Sequence, residues 1–260
     1  MPIPADGYPQ TAAVSPRVQV VATTDSTNAD VVAAVAADPV GWPHLSLLVT
    51  DDQRAGRGRL DRSWTAPAGT ALAVSVVLDV TTAPADVRGW IPLAAGAAMT
   101  HAVSHQLTGR GPTARLKWPN DVLVDGGKIC GILAEVVPGA PDTVVVGAGV
   151  NTRMTRVDLP VSTATSFAAI GVEADDDRLL ADYVRQLSEL VAALAAGDVD
   201  RVRREVEKHC ATLGRDVVVS LPDGSSLRGH AERLDESGRL VVTTGTLETA
   251  VAAGDVVHVR

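Results

Sequence analysis

Four arginines stand close together in Arg54-Ala55-Gly56-Arg57-Gly58-Arg59-Leu60-Asp61-Arg62, against a single aspartate. Guanidinium forks match phosphate and carboxylate oxygens, and glycines at 56 and 58 permit positive φ and close backbone approach. Such a run suits a clamp closing over an anion; it suits equally a solvated loop that is merely basic. It is not a common nucleotide loop, since neither GxxxxGK[ST] nor GxGxxG occurs in the chain. A second group is Lys117-Trp118-Pro119-Asn120-Asp121, followed past a glycine turn by Lys128. A lysine in an apolar sheet is costly to bury without an anion, so two near one point suit a negatively charged ligand. The commoner fate of a lysine is to run its stem along a sheet edge. In Gly147-Ala148-Gly149-Val150-Asn151 the glycines share one side of a strand. They could floor a ligand ring, or mark a bulge or close strand packing.

Other chemistry-bearing types give less. His101 and His105 are four apart, but HAVSH lacks the glutamate of the zinc motif HExxH. Asp175-Asp176-Asp177 reads as a helix start, where carboxylates meet the dipole. Cys130 lies in an apolar run and reads as core, and no serine or cysteine shows a base with its orienting partner. No metal ligand set is identified.

The elements that must position these groups follow from periodicity and turn signals. A short strand is expected near 18–22, then a helix capped within Asp25-Ser26-Thr27-Asn28, a strand at 45–50 and a fully buried strand at 71–78. Residues 85–106 are helical, with Pro92 marking a start or kink. Strands at 113–118, 121–125 and 128–137 follow, the last two joined at Asp125-Gly126-Gly127. A strand at 143–150 and helices at 174–196 and 198–210 complete the larger part. Beyond it come five short β runs. The expected organisation is an irregular lead-in over 1–16, a larger unit over 17–212 and a small SH3-like barrel over 213–260.

The chain has 260 residues, 46% hydrophobic and 21% charged, which fits a globular fold and excludes general disorder. No uncharged run reaches the ~18–20 residues of a membrane span, and the N-terminus carries no export signal. Two isolated cysteines cannot build a disulfide framework. These features predict a cytoplasmic chain with no membrane partner. The net charge of −8 argues against a duplex DNA partner.

Taken in order, the blocks DSTN, Gln53, GRGR with Arg62 and Trp64, KWPND, GK with GIL, and GAGVN resemble the biotin protein ligases. The resemblance spans about 18–212 and continues into the tail. It implies an α+β fold: a mixed-sheet catalytic domain of the biotin/lipoate ligase type with a C-terminal SH3-like barrel. It also implies a two-step reaction. Biotin is activated by MgATP to biotinyl-5′-AMP, then transferred to a lysine of the biotin carboxyl carrier domain of an acyl-CoA carboxylase. By the same carry-over Ser26, Thr27, Asn28 and Gln53 hold the ureido ring, over a floor of Gly131, Gly147 and Gly149. Arg57, Arg59 and Lys128 meet both biotin and the adenylate, Gly58 meets biotin, and Arg62, Trp64, Lys117, Asn120 and Asn151 hold the adenylate. Lys117 and Asp121 stand with Lys128 and Arg59 at the reacting centre. Only 25 residues precede Ser26, too few for the winged helix-turn-helix of the repressor members, so the monofunctional type is expected. Either a monomer or a homodimer is compatible. Leu60-Asp61 departs from a more basic loop. The rival readings are a lipoate ligase or octanoyl transferase of the same fold, and a non-catalytic adapter for the carrier.

Overall fold

The computed structural model describes residues 7–59 and 62–259. The order begins with α1 (Pro9–Ala12), β1 (Val18–Val20), α2 (Thr27–Ala37) and β2 (Leu47–Thr50). The arginine segment holds a small ladder, β3 (Gly56–Arg57) with β4 (Ser63–Trp64). Then come β5 (Ala71–Asp79), a 3-10 turn at Ala85–Trp90 and α3 (Ile91–Gln106). The strands β6 (Ala114–Lys117), β7 (Asp121–Val124), β8 (Gly127–Val137) and β9 (Ala140–Asn151) lead to α4 (Asp176–Ala195) and α5 (Val199–His209). The chain ends in β10 (Asp216–Ser220), β11 (Ser226–Leu234), β12 (Leu240–Thr244), β13 (Leu247–Val251) and β14 (Asp255–His258).

The larger sheet has the order β1-β2-β5-β9-β8-β7-β6. It is mixed: β1 and β2 run parallel and every other neighbour is antiparallel. Strand alternation sorts its side chains into two layers. Leu72, Val74, Val76 and Leu78 of β5, with Val144, Val146, Ala148 and Val150 of β9, enter the main core with α3 and α4. Val77 and Val145 point the other way, against Val31 and Val35 of α2. Ala73, Ser75, Gly147 and Gly149 belong to that second face, and there the functional groups collect. The five-stranded sheet, β13-β12-β11-β10-β14, is antiparallel throughout. Its inward residues Val217, Val219, Leu240 and Val242 join the main core.

A β-bulge decides what the second face can do. From the turn, Val124 pairs with Gly127 and Leu123 with Lys128; beyond it, Val122 pairs with Cys130 and Asp121 with Gly131. Ile129 is the unpaired extra residue, buried with Cys130. On a regular strand Lys128 and Gly131 would face opposite sides. The bulge puts both on the side that carries Asp121.

One expectation is corrected. The lead-in is not irregular where it is described: Pro9 opens a helical turn, a position its fixed φ favours. The Asp177 carboxylate accepts from the backbone N–H groups of Gln10 and Thr11 at 2.8 and 2.9 Å and from the Thr11 hydroxyl at 2.8 Å. Tyr8 is buried in the core. The rest of the expected lead-in, residues 1–6, lies outside the described residues, as does Leu60-Asp61. Pro92 sits in the first turn of α3, after the 3-10 segment, and so marks a helix start.

Candidate active site

The cleft on the second face encloses about 810 Å³ including its open mouth, within the range of small-molecule sites. Its two ends differ in chemistry.

The inner end is neutral and polar. Ser26 caps α2 in an extended conformation, its Oγ accepting from Ala29 N at 3.4 Å. Gln53 Oε1 accepts from both Thr27 N and Thr27 Oγ1, at 2.8 and 3.0 Å, so its amide nitrogen is left as a donor. Asn28 Nδ2 donates to Leu133 O at 3.2 Å and to Glu135 at 2.7 Å, while its Oδ1 accepts from the Ser75 hydroxyl at 2.6 Å. Ser26, Thr27, Asn28 and Ser75 are buried, Gln53 and Glu135 half-buried, and the groups are hydrogen-bonded as burial of polar atoms demands. The glycines make room for them. A Cβ on Gly147 would run into the Asn28 amide, and one on Gly149 would stand 2.6 Å from the Trp64 indole.

The outer end is cationic. Lys128 Nζ lies 2.6 Å from Asp121 Oδ1, and a Cβ on Gly131 would be only 3.3 Å from Lys128 Cε and Nζ. Arg59 donates to Asn120 Oδ1 at 3.1 Å and to Gly254 O at 3.4 Å. Burial lowers the Arg59 pKa, against the pull of Asp255 and Asp121; a guanidinium keeps its charge through such shifts. Asn120 is held by its donation to Ile132 O at 2.7 Å. Arg62 pairs with Asp255 and Arg57 with Glu135. Uncharged recognition groups thus adjoin a cationic rim. Such a cleft can seat a neutral head group and neutralise an anion attached to it.

Every site residue expected from the sequence lines this cleft except Lys117 and Asn151. Lys117 faces the same side as Asp121, its register partner, but stands outside the cleft. It lies near His258, whose pKa is lowered first by burial and then by Lys117 and Arg215. Asn151 turns its amide to Thr165 O at 2.9 Å and so pins the following segment. Sequence reasoning missed Ser63, Ala73, Ile132, Leu133, Ala148 and Asp255 in the lining, with Ser75 and Glu135 behind it. Counting by twos along β8 from Gly131 would have found Leu133 and Glu135. Asp255 comes from the other sheet and has no local signal.

Cys130 is buried and its thiol pKa is pushed far up by that burial, which suits core packing and not nucleophilic attack. Among the described residues no group of three or more His, Cys, Asp or Glu side chains could hold a metal. None of the described helices is long and apolar enough to cross a membrane.

Fold and cleft together define a catalytic scaffold of the ligase type. The structure aligns with the biotin protein ligase of Aquifex aeolicus in complex with biotin and ATP at a TM-score of 0.77, with 24% identity over 94% of this chain and 99% of that one. A profile of the biotin/lipoate A/B protein ligase family matches residues 20–151. Biotin–[acetyl-CoA-carboxylase] ligase of Mycobacterium tuberculosis is 37% identical over 247 residues, 94% of this chain and 90% of that protein. The Paracoccus denitrificans enzyme of the same name is 30% identical over 91% of this chain and 98% of its own length. The chain belongs to the biotin/lipoate A/B protein ligase family.

Proposed function

We propose that this chain is an ATP-dependent biotin–[acetyl-CoA-carboxylase] ligase. The observation that carries the reading is the two-ended cleft, a neutral hydrogen-bonding pocket opening directly onto the cations Arg57, Arg59, Arg62 and Lys128. Biotin has the matching form, a neutral ureido ring joined through an apolar chain to a carboxylate.

In the first step a biotin carboxylate oxygen forms a bond to the α-phosphorus of ATP and the bond to pyrophosphate breaks. Two anions must meet, so the repulsion is the main obstacle. Lys128 holds the incoming carboxylate against the phosphoryl oxygens, and Arg59, anchored by Asn120 and Gly254 O, neutralises charge from the opposite side. Arg57 and Arg62 give up their carboxylate partners to the ligand, and Trp64, resting on Gly149, offers a face to the adenine. Asp121 or Asp255 would hold the Mg²⁺ that comes with the nucleotide, which would screen the phosphates. One or two carboxylates with phosphate and water suffice for it, which fits a cleft whose lining carboxylates are Asp121 and Asp255.

In the second step the acceptor lysine nitrogen attacks the acyl carbon, the bond to the phosphate oxygen breaks, and AMP departs. Holding that amine neutral at pH 7 costs about 4.6 kcal/mol from its ordinary pKa. The cationic rim lowers the cost and Asp121 takes or aligns the proton. Lys117 serves from outside the cleft, on the acceptor's approach, and Asn151 acts through the Thr165 segment.

The partner is a biotin carboxyl carrier domain. Residues 17–212 form the catalytic unit and 213–260 an accessory unit whose Asp255 lines the cleft and whose Gly254 O accepts from Arg59. The chain works in the cytoplasm without DNA, as a monomer or a homodimer.

ATP–pyrophosphate exchange tests this reading, with biotin, lipoate and octanoate as parallel acids. Exchange that requires biotin and collapses in Lys128→Ala supports it. Exchange with lipoate or octanoate alone would reassign the substrate within the family, and exchange with none from folded protein would favour the adapter.

A further inference from the structure

We propose that Glu135 is a positioning residue, one carboxylate that sets the direction of the Asn28 amide and holds Arg57 of the cationic segment. The inference takes its ligand from the function proposed above. Glu135 lies on β8 two positions beyond Leu133, on the same face as Gly131 and outside the cleft lining. Its Oε2 accepts from Asn28 Nδ2 at 2.7 Å, and Arg57 Nη2 lies 3.1 Å from each of its oxygens.

The hydrogen count at Asn28 gives Glu135 its importance. An amide nitrogen has two hydrogens, and both are taken, by Leu133 O and by Glu135. The amide oxygen accepts from Ser75 and retains one lone pair. Asn28 can therefore offer a ligand an acceptor and no donor. Glu135 fixes that sign together with Leu133 O, because both only accept; its bond is the shorter, 2.7 Å against 3.2 Å, and is made to a charge. Without it a hydrogen of Nδ2 is freed and only the longer bond to Leu133 O opposes a turn of the amide, so the fraction that presents a donor to a ligand N–H rises. A ureido N–H requires the acceptor.

Arg57 is the second client. Its side chain is half exposed and Glu135 is the partner that holds it at the base of the loop. An arriving ligand anion competes with Glu135 for Arg57 but leaves the Asn28 bond in place. The two roles separate chemically. Glutamine at 135 can still accept from Asn28 through its amide oxygen, yet has no charge for Arg57.

The test measures biotin binding by titration calorimetry, and tryptic cleavage after Arg57 in ligand-free protein, for wild type, Glu135→Ala and Glu135→Gln. Glu135→Ala is expected to weaken biotin about tenfold and to accelerate cleavage. Glu135→Gln is expected to bind biotin within about threefold of wild type while being cut as fast as the alanine variant. Wild-type affinity in Glu135→Ala, or an equal loss in both variants, overturns the Asn28 role. An unchanged cleavage rate in Glu135→Gln overturns the Arg57 role, and this holds even if the alanine variant fails to fold. Wild-type protein that binds no biotin would overturn the proposed function and this inference with it.

Discussion

Asp121 and Lys128 form an ion pair inside the cleft, at 2.6 Å, and the two proposed reaction steps would use them differently. Asp121→Asn is expected to slow carrier biotinylation from preformed biotinyl-5′-AMP by at least about tenfold, with a smaller effect on pyrophosphate exchange. Full transfer from the preformed adenylate would remove Asp121 from the proton's path. Gly149→Ala places a methyl 2.6 Å from the Trp64 ring. Overpacking of this kind costs about 1–3 kcal/mol. The expected result is a shifted Trp emission and a raised KM for ATP, read from fluorescence and steady-state kinetics. Most residues of the candidate cleft were legible because they fall in contiguous strings such as DSTN and GRGR. The same strings carry Lys117 and Asn151, which the cleft lining does not include. KWPND runs through the end of β6 into β7, with Asn120 and Asp121 in the lining and Lys117 outside it, and Asn151 spends its amide on Thr165. Adjacency in a motif does not say which member reaches the ligand.

At the scale of elements, the turn over 235–239 between β11 and β12 is the most consequential. It accepts the Trp90 indole N–H at Glu236 O, 2.7 Å, and the Trp118 indole N–H at Gly238 O, 3.2 Å. Asp235 organises it, accepting from Ser237 N and Arg239 N and from Arg239 Nε at 2.6 Å. Burial works to raise the Asp235 pKa, but these hydrogen bonds and the Arg239 charge outweigh it and the net shift is downward. A carboxyl lowered on folding stabilises above its unfolded pKa and loses that contribution as pH falls through the folded value. Asp235→Asn is therefore expected to destabilise by about 1 kcal/mol at pH 7. The gap to wild type should close in acid below the ordinary carboxylate range, as followed by urea unfolding at several pH values. Most elements were legible from periodicity and turn signals, including all five strands of the second sheet. The helical turn at Pro9 was not, because its stabilising partner, Asp177, lies far along the chain.

At the scale of the whole molecule, the two sheets share one continuous apolar cluster, in which Val219 and Val242 lie with Leu72 and Val146. A shared core predicts a single cooperative unfolding transition. Calorimetry showing two resolved transitions would contradict it. Trp90→Phe, which removes the indole donor and part of a fully buried ring, is expected to lower stability by about 2–4 kcal/mol without splitting the transition. The sequence marks the change of texture near residue 212, yet nothing local shows that Asp255 returns to the cleft.

The extra residue in β8 is also a matter of counting. Lys128 and the row through Gly131, Leu133 and Glu135 act together only because Ile129 goes unpaired between Val122 and Leu123. Copy the letters GKICGILAE onto an evenly paired hairpin and that phase is lost: either the lysine or the glycine row turns its back on Asp121. A search that matches letters would still report the motif. The chemistry belongs to the offset between two strands, and a transplanted segment inherits it only if the offset travels too.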